Sequence, residues 1–260
     1  MTVLDKIISD KKADVKRLYE QYSLEFYKET IKNSHFTYYK FEEALRGDRL
    51  SLIAEVKKAS PSKGIIRSDF DPVSIAKEFE LNKASCLSVL TDEAYFGGKN
   101  DYLSSIKQQC TLPILRKDFI IDEIQIYESK AIGADCILVI LAVLSCEEAQ
   151  HFISLAKTLE LSVLVEIHSE EDAEKLLRLS DISMIGINNR DLKTFAVDYR
   201  NAIHFKKLLG ARFKNAIFVA ESGYDKKAQL IELREHNIDA VLIGEGLARE
   251  KTLIEYFNEN

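Results

Sequence analysis

Apolar positions near the start of the chain recur with a helical period. Val3, Leu4, Ile7, Ile8, Val15, Leu18, Tyr19 and Tyr22 fall near one face, with Lys and Asp between them, which predicts an amphipathic helix. A second, short helix is expected over Phe41–Leu45. From residue 51 the pattern changes to short apolar runs alternating with amphipathic stretches. The runs are Leu52–Val56, Cys86–Leu90, Pro113–Lys117, Asp135–Leu141, Ser162–Ile167, Met184–Asn188, Ala216–Glu221 and Ala240–Gly244, eight in all. Several are apolar at both parities, as expected of parallel strands covered on both faces.

The stretches between the runs carry helix start signals. Asp71-Pro72 sets an N-cap before a proline at the first helical position. Asp122-x-x-Gln125 and Ser145-x-x-Glu148 read as capping boxes, and Ser169-x-x-Asp172 as a weaker relative of them. Gly133 stands where a helix C-terminal glycine belongs. Eight strand-like runs, each followed by a helix, predict an α/β protein of the (β/α)8 TIM-barrel type, a fold that typically takes about 250 residues. An open doubly wound sheet is the rival, and it fits less well because no dinucleotide-type glycine fingerprint follows the first run. Residues 1–48 are then an N-terminal helical extension and residues 49–260 the barrel, so that 1–260 forms one domain.

Composition narrows the function. Of 260 residues, 46% are apolar, and 42 Asp and Glu against 36 Lys and Arg give a net charge of −6. This balance argues against a general nucleic-acid or anionic-membrane binder, while leaving room for a local basic pocket. The longest apolar run, Cys136–Leu144, is too short to span a bilayer, and no basic-then-apolar leader opens the chain. Cys86, Cys110, Cys136 and Cys146 share no metal-like spacing and read as reduced core or near-core residues, which points to the cytoplasm. A monomer or weak homodimer is expected.

Barrel chemistry sits at the C-terminal strand ends. The first run carries Glu55 and Lys57, two apart and hence on one face, followed by the small-residue loop Ser60-Pro-Ser-Lys-Gly64. They read either as a carboxylate and ammonium at the barrel mouth or as a solvated salt bridge on an edge strand. After the second run, Gly97 and Gly98 allow tight backbone geometry or close ligand approach, and Phe96 suits an apolar pocket or plain core. Lys117 ends the third run. It is either a general acid whose pKa partial burial lowers towards neutrality, or a surface lysine beside Asp118. Glu166 is a lone carboxylate in an apolar strand and needs a partner, for which Lys57 and Lys117 are candidates, while His168 reads as a loop residue. Asn188 and Arg190 suit carboxylate or phosphate recognition, with an Arg190–Asp191 salt bridge as the competing explanation. The seventh run ends Glu221-Ser222-Gly223 and the eighth Gly244-Glu245-Gly246, and glycines after these two strands form the usual phosphate site of such barrels.

These residues, in this order, resemble the indole-3-glycerol phosphate synthase family of tryptophan biosynthesis. The matching segments are Glu55-x-Lys57-Lys-Ala-Ser60-Pro-Ser-Lys-Gly64, Asp69-Phe-Asp-Pro72, Ser88-Val-Leu-Thr-Asp92, Leu115-Arg-Lys117-Asp-Phe119, Gly133-Ala-Asp135, Val165-Glu166, Gly186-Ile-Asn-Asn-Arg-Asp-Leu192 and Glu221-Ser-Gly223. The resemblance implies a carboxy-lyase without metal or organic cofactor, acting on the anionic small molecule 1-(2-carboxyphenylamino)-1-deoxyribulose 5-phosphate, with no nucleic-acid or membrane partner. It implies Lys117 as general acid, Lys57 as binder of substrate anions and helper in dehydration, and Glu166 as counter-charge or base. Glu55 would support dehydration, and Asn188 and Glu221 would orient the substrate and the lysines. It further implies carboxylate contacts from Ser60 and Arg190. Ser222, Gly223, Gly244 and the backbone of Glu245 would hold the phosphate, and Phe96, Phe119, Leu138 and Leu192 the aromatic ring. One departure stands out: the family often reads Gly-Glu-Ser-Leu-Met after the last strand, where this chain has Gly244-Glu-Gly246-Leu-Ala248. Phosphoribosylanthranilate isomerase is a rival barrel, but it uses an early cysteine, and no Cys precedes Cys86 here. A non-catalytic binding protein on a decayed barrel is the other rival; it would have lost some of the charged strand ends, all of which are present.

Overall fold

The computed structural model describes residues 2–61, 63–66, 68–191, 196–249 and 251–259. Eight parallel strands form the barrel: β1 (Ser51–Val56), β2 (Cys86–Leu90), β3 (Ile114–Lys117), β4 (Cys136–Ile140), β5 (Ser162–Ile167), β6 (Met184–Asn188), β7 (Ile217–Glu221) and β8 (Ala240–Ile243). Each pairs with its neighbours in chain order and β1 closes on β8, with Ile53 beside Leu242 and, on the other side, Cys86. All eight predicted runs are strands, and their bounds agree with the sequence pattern to within one residue.

The both-parity apolar runs are explained by two cores. In β4, Ile137 and Val139 pack outward against the helices, whereas Cys136, Leu138 and Ile140 fill the barrel interior. Each fully buried aliphatic side chain contributes about 1.5–3 kcal/mol, so an alternating polar pattern would forfeit one of the two layers. The helices start as their caps predict. Asp71 caps the helix Pro72–Leu81, and reciprocal capping boxes form at Asp122/Gln125, Ser145/Glu148 and Ser169/Asp172. Gly133 takes a positive φ of 98° just past Glu123–Ala131.

The N-terminal segment wraps the barrel from one end to the other. Helix α1 (Val3–Gln21) lies at the C-terminal mouth, where Val3, Leu4 and Ile7 face the central cavity. The apolar pattern predicts one helix through Tyr22, but Tyr22 is extended and Ser23 caps a second helix, α2 (Leu24–Lys32). Tyr27 of α2 packs on Ile124 and Ala131 of the barrel's outer layer. Helix α3 (Phe41–Leu45) closes the opposite end, inserting Phe41 and Leu45 into the interior core beside Ile53, Cys86 and Cys136. All four cysteines are unpaired, three of them buried. Among the described residues, no helix is long and apolar enough to cross a membrane.

Candidate active site

A cavity of about 570 Å³ opens at the C-terminal strand ends. Inward parity brings Glu55 and Lys57 from β1 and its end, Lys117 from β3, Glu166 from β5, Asn188 from β6 and Glu221 from β7 to its walls. Lys117 Nζ donates to Glu166 Oε2 at 2.7 Å and to Glu221 Oε2 at 3.0 Å. Lys57 pairs with Glu55 rather than with Glu166. Glu55 is therefore no edge-strand residue, and Lys117 is not a surface partner of Asp118, which points the other way to Lys11 and Arg116.

The electrostatics differ from one sequence expectation. Burial works to lower the Lys117 pKa, but Glu166, Glu221 and, more distantly, Glu55 outweigh it and hold the ammonium firmly protonated. For Glu166, burial is overcome by the Lys117 ammonium and by His168, so its carboxyl stays well below the usual range. Glu221 is pushed up to about 8, by burial and by the Glu166 charge against the pull of Lys117. Two carboxylates competing for one ammonium cannot both ionise freely, and Glu221 is the one that yields. Its Oε1 has no hydrogen-bond partner among the described residues, nor does the buried Ser60 Oγ, which also lines the cavity.

Glycines make this crowding possible. A Cβ at Gly186 would collide with Glu221 Oε1, and one at Gly244 with Glu55 Oε1. Gly244 therefore admits a carboxylate as well as lining the cavity. Gly97 ends the helix Glu93–Phe96 in a left-handed conformation. A Cβ at Gly98 would strike the Leu90 carbonyl, so the Gly97-Gly98 pair serves chain packing and not ligand approach.

Ser222, Gly223, Gly244 and Glu245 line the cavity, and Lys63 of the first loop, also on the wall, forms an ion pair with Glu245. Gly246 approaches the Tyr224 carbonyl so closely that a Cβ would collide with it. A serine hydroxyl at that position therefore does not fit this backbone. Phe96, Phe119 and Leu138 also line the cavity, the two rings 6.4 Å apart, as do Leu90, Ile140 and Leu242. Ser60 and Arg190 also line it, and Leu192 falls outside the described residues. Val3, Leu4 and Ile7 of α1 were not legible as cavity residues, since periodicity shows an apolar face but not what the face meets. His168, which the sequence pattern places in a loop, is more than that. It follows β5, but its buried imidazole lies against Glu166, with Nε2 3.1 Å from Oε1.

The family profile described as indole-3-glycerol phosphate synthase matches residues 4–258. The chain belongs to the indole-3-glycerol phosphate synthase family. A protein of that name from Acetivibrio thermocellus is 46% identical over 260 residues, covering 99% of this chain and 98% of its own length. One from Acinetobacter baylyi is 39% identical over 258 residues, covering 99% and 95%. A third, from Lachnoclostridium phytofermentans, is 44% identical over 209 residues, or 80% and 76%. As an indole-3-glycerol phosphate synthase the chain is a lyase of tryptophan biosynthesis that couples ring closure, decarboxylation and dehydration. A small-molecule substrate accords with the deep cavity at the barrel mouth.

Proposed function

We propose that the cavity converts 1-(2-carboxyphenylamino)-1-deoxyribulose 5-phosphate to indole-3-glycerol phosphate with Lys117 as the general acid. The observation that carries this reading is the Lys117 ammonium, held between Glu166 and Glu221 on the cavity wall. Ring closure joins the carboxylate-bearing ring carbon to the ketone carbon, and the ketone oxygen must take up a proton. An acid has to start protonated, and the two carboxylates ensure that Lys117 does. Attack leaves an iminium cation, for which ionised Glu166 is the counter-charge. Departure of carbon dioxide leaves its electron pair to neutralise that cation. The new hydroxyl then leaves as water, with Lys57 assisting its protonation and Glu166 or Glu55 accepting the proton lost from carbon. Asn188 and Glu221 orient the reacting groups.

The phosphate is assigned to Ser222, Gly223, Gly244 and the Glu245 backbone, the ring to Phe96, Phe119 and Leu138, and the substrate carboxylate to Ser60 and Arg190, all of which line the cavity. Leu192 is assigned to the ring on the family resemblance alone. The four unpaired cysteines suit the reducing cytoplasm. Turnover of the ribulose phosphate by the purified chain tests the reading. The protein contains no Trp, so product indole emission rises over a tyrosine background. Absence of that emission with intact substrate recovered would refute the assignment.

A further inference from the structure

Glu166 is approached from two sides. On the cavity side, Lys117 holds Oε2 at 2.7 Å. On the far side, His168 Nε2 lies 3.1 Å from Oε1. The His168 side chain is only 7% exposed and is not part of the cavity wall, so it does not meet substrate. Neither ring nitrogen meets hydrogen-bond geometry with any described residue: Nε2 stands at ion-pair distance from Glu166 Oε1, and Nδ1 is 3.9 Å from Asp172 Oδ2. Burying an imidazole with so few partners does little for stability, so its placement calls for another reason.

The backbone around the ring is fixed by a cap. Asp172 Oδ2 accepts from the backbone N–H of His168 at 2.9 Å and of Ser169 at 3.2 Å, while Ser169 Oγ accepts from Asp172 N at 3.2 Å. The capping box of the helix Glu170–Leu176 thus anchors His168 as well as starting the helix. The strand neighbours of Glu166 in register are Ile140 and Gly186, neither of which carries charge. The groups facing Glu166 are therefore Lys117 from β3, Glu221 from β7 and His168, with Asp172 behind the ring.

We propose that His168 is the positioning residue of Glu166, an imidazole whose Nε2, 3.1 Å from Oε1, restrains the carboxylate plane and supports its negative charge from outside the cavity. This inference rests on the role given to Glu166 above. Lys117 alone engages one oxygen and leaves the other unrestrained, and the imidazole set against that second oxygen removes the freedom.

The test uses the full-length enzyme and its ribulose phosphate substrate, with variants His168→Leu, His168→Gln and Glu166→Gln. A polar contact to a charged group, worth up to what a hydrogen bond to it is worth, corresponds to about 10- to 100-fold. In His168→Leu, kcat should fall by that factor with KM little changed, and the acid limb of the kcat–pH profile should move to higher pH. Gln keeps an amide donor of similar reach and should restore both towards wild type. Wild-type kcat and acid limb in His168→Leu would overturn the proposal, as would a pure KM effect. A His168→Gln enzyme as impaired as His168→Leu would also overturn it, because packing and not the polar contact would then matter. If His168→Leu does not fold, His168→Gln decides: a retained limb and kcat support the proposal, and a displaced limb refutes it. Wild-type turnover in Glu166→Gln would instead remove Glu166 from the mechanism, whereas an inactive Glu166→Gln beside an unaffected His168→Leu would sink the His168 inference alone.

Discussion

Two buried ion clusters lie on opposite faces of the same strand end. Arg116 and Asp118 point out of the barrel and join Lys11, Asp92 and Glu128, while Lys117 points in and joins Glu166, Glu221, Glu55 and Lys57. Each cluster has three carboxylates and two cations, so the formal charge of both is −1. The outer one is saturated. Asp118 accepts from Lys11 at 2.9 Å, Thr91 Oγ1 at 2.6 Å and the Phe119 N–H at 2.8 Å, and Glu128 from Arg116 at 2.6 Å and Asn100 at 3.0 Å. The inner one leaves Glu221 Oε1 without a partner and its carboxyl driven towards the neutral form. Equal charge therefore serves two ends. Saturated with hydrogen bonds, a cluster clamps α1 to the mouth; left short of donors and open to a cavity, it holds a proton ready to move.

Removing a cation from each cluster separates them most sharply. Lys117→Ala should lower kcat by about 10²–10⁴-fold, the range for a positioned acid, while substrate binding stays measurable and the circular-dichroism melt shifts little. The fold tolerates the loss because Glu221 already favours its protonated form and Glu166 keeps His168 beside it. Near-wild-type turnover would remove Lys117 as the essential acid. Lys11→Met should do the reverse. It leaves the nearly fully buried Asp92 without its cation and Asp118 with Arg116 alone, and breaking a buried pair costs about 3–5 kcal/mol. Denaturant unfolding should show that loss, and KM should rise as Val3, Leu4 and Ile7 leave the wall; an unchanged midpoint would refute the clamp.

A smaller effect is expected of Gly186→Ala. Its Cβ would displace the Glu221 carboxylate, and a misplacement of about 1 Å can cost about 10²-fold in rate. Steady-state kinetics with wild-type kcat would show that the inner geometry is looser than described. The pH dependence of stability is subtler. The pKa of Glu221 rises on folding from 4.5 to about 8, so its stabilising contribution is complete below 4.5 and is lost as pH climbs through about 8. Glu221→Gln should flatten the fall in melting temperature across that window; parallel wild-type and variant curves would contradict the assignment. The weakest effect is ionic. If, as proposed, an anionic substrate meets Lys57, Lys117 and Arg190, KM should rise by a few-fold as salt shortens the screening length from about 10 Å at 0.1 M. A KM independent of salt would count against the cationic pocket.

Local chemistry explains what was legible in the chain. The strands showed as both-parity apolar runs because each must feed two cores, and the helix starts showed because a capping box lies within four residues. The polar strand ends Glu55, Lys57, Lys117, Glu166, Asn188 and Glu221 stood out against those runs, and all of them line one cavity. Helix α2 is not distinct in the apolar pattern because its face continues that of α1, and only Ser23 marks the break. Lys11 looked like any lysine of a solvated helix face, since its partners Asp92 and Asp118 are distant in sequence.

By itself, then, the sequence determined the barrel, its caps and the set of charged side chains at its mouth, because those follow from periods of two and 3.6 residues and from neighbours along the chain. The tertiary structure decided which charge answers which. Lys117 meets Glu166 across 49 positions and Glu221 across 104, and Lys57 turns to Glu55 instead. Whether a carboxyl is ionised depends on burial and on separations of a few ångströms, and only closure of the barrel fixes both.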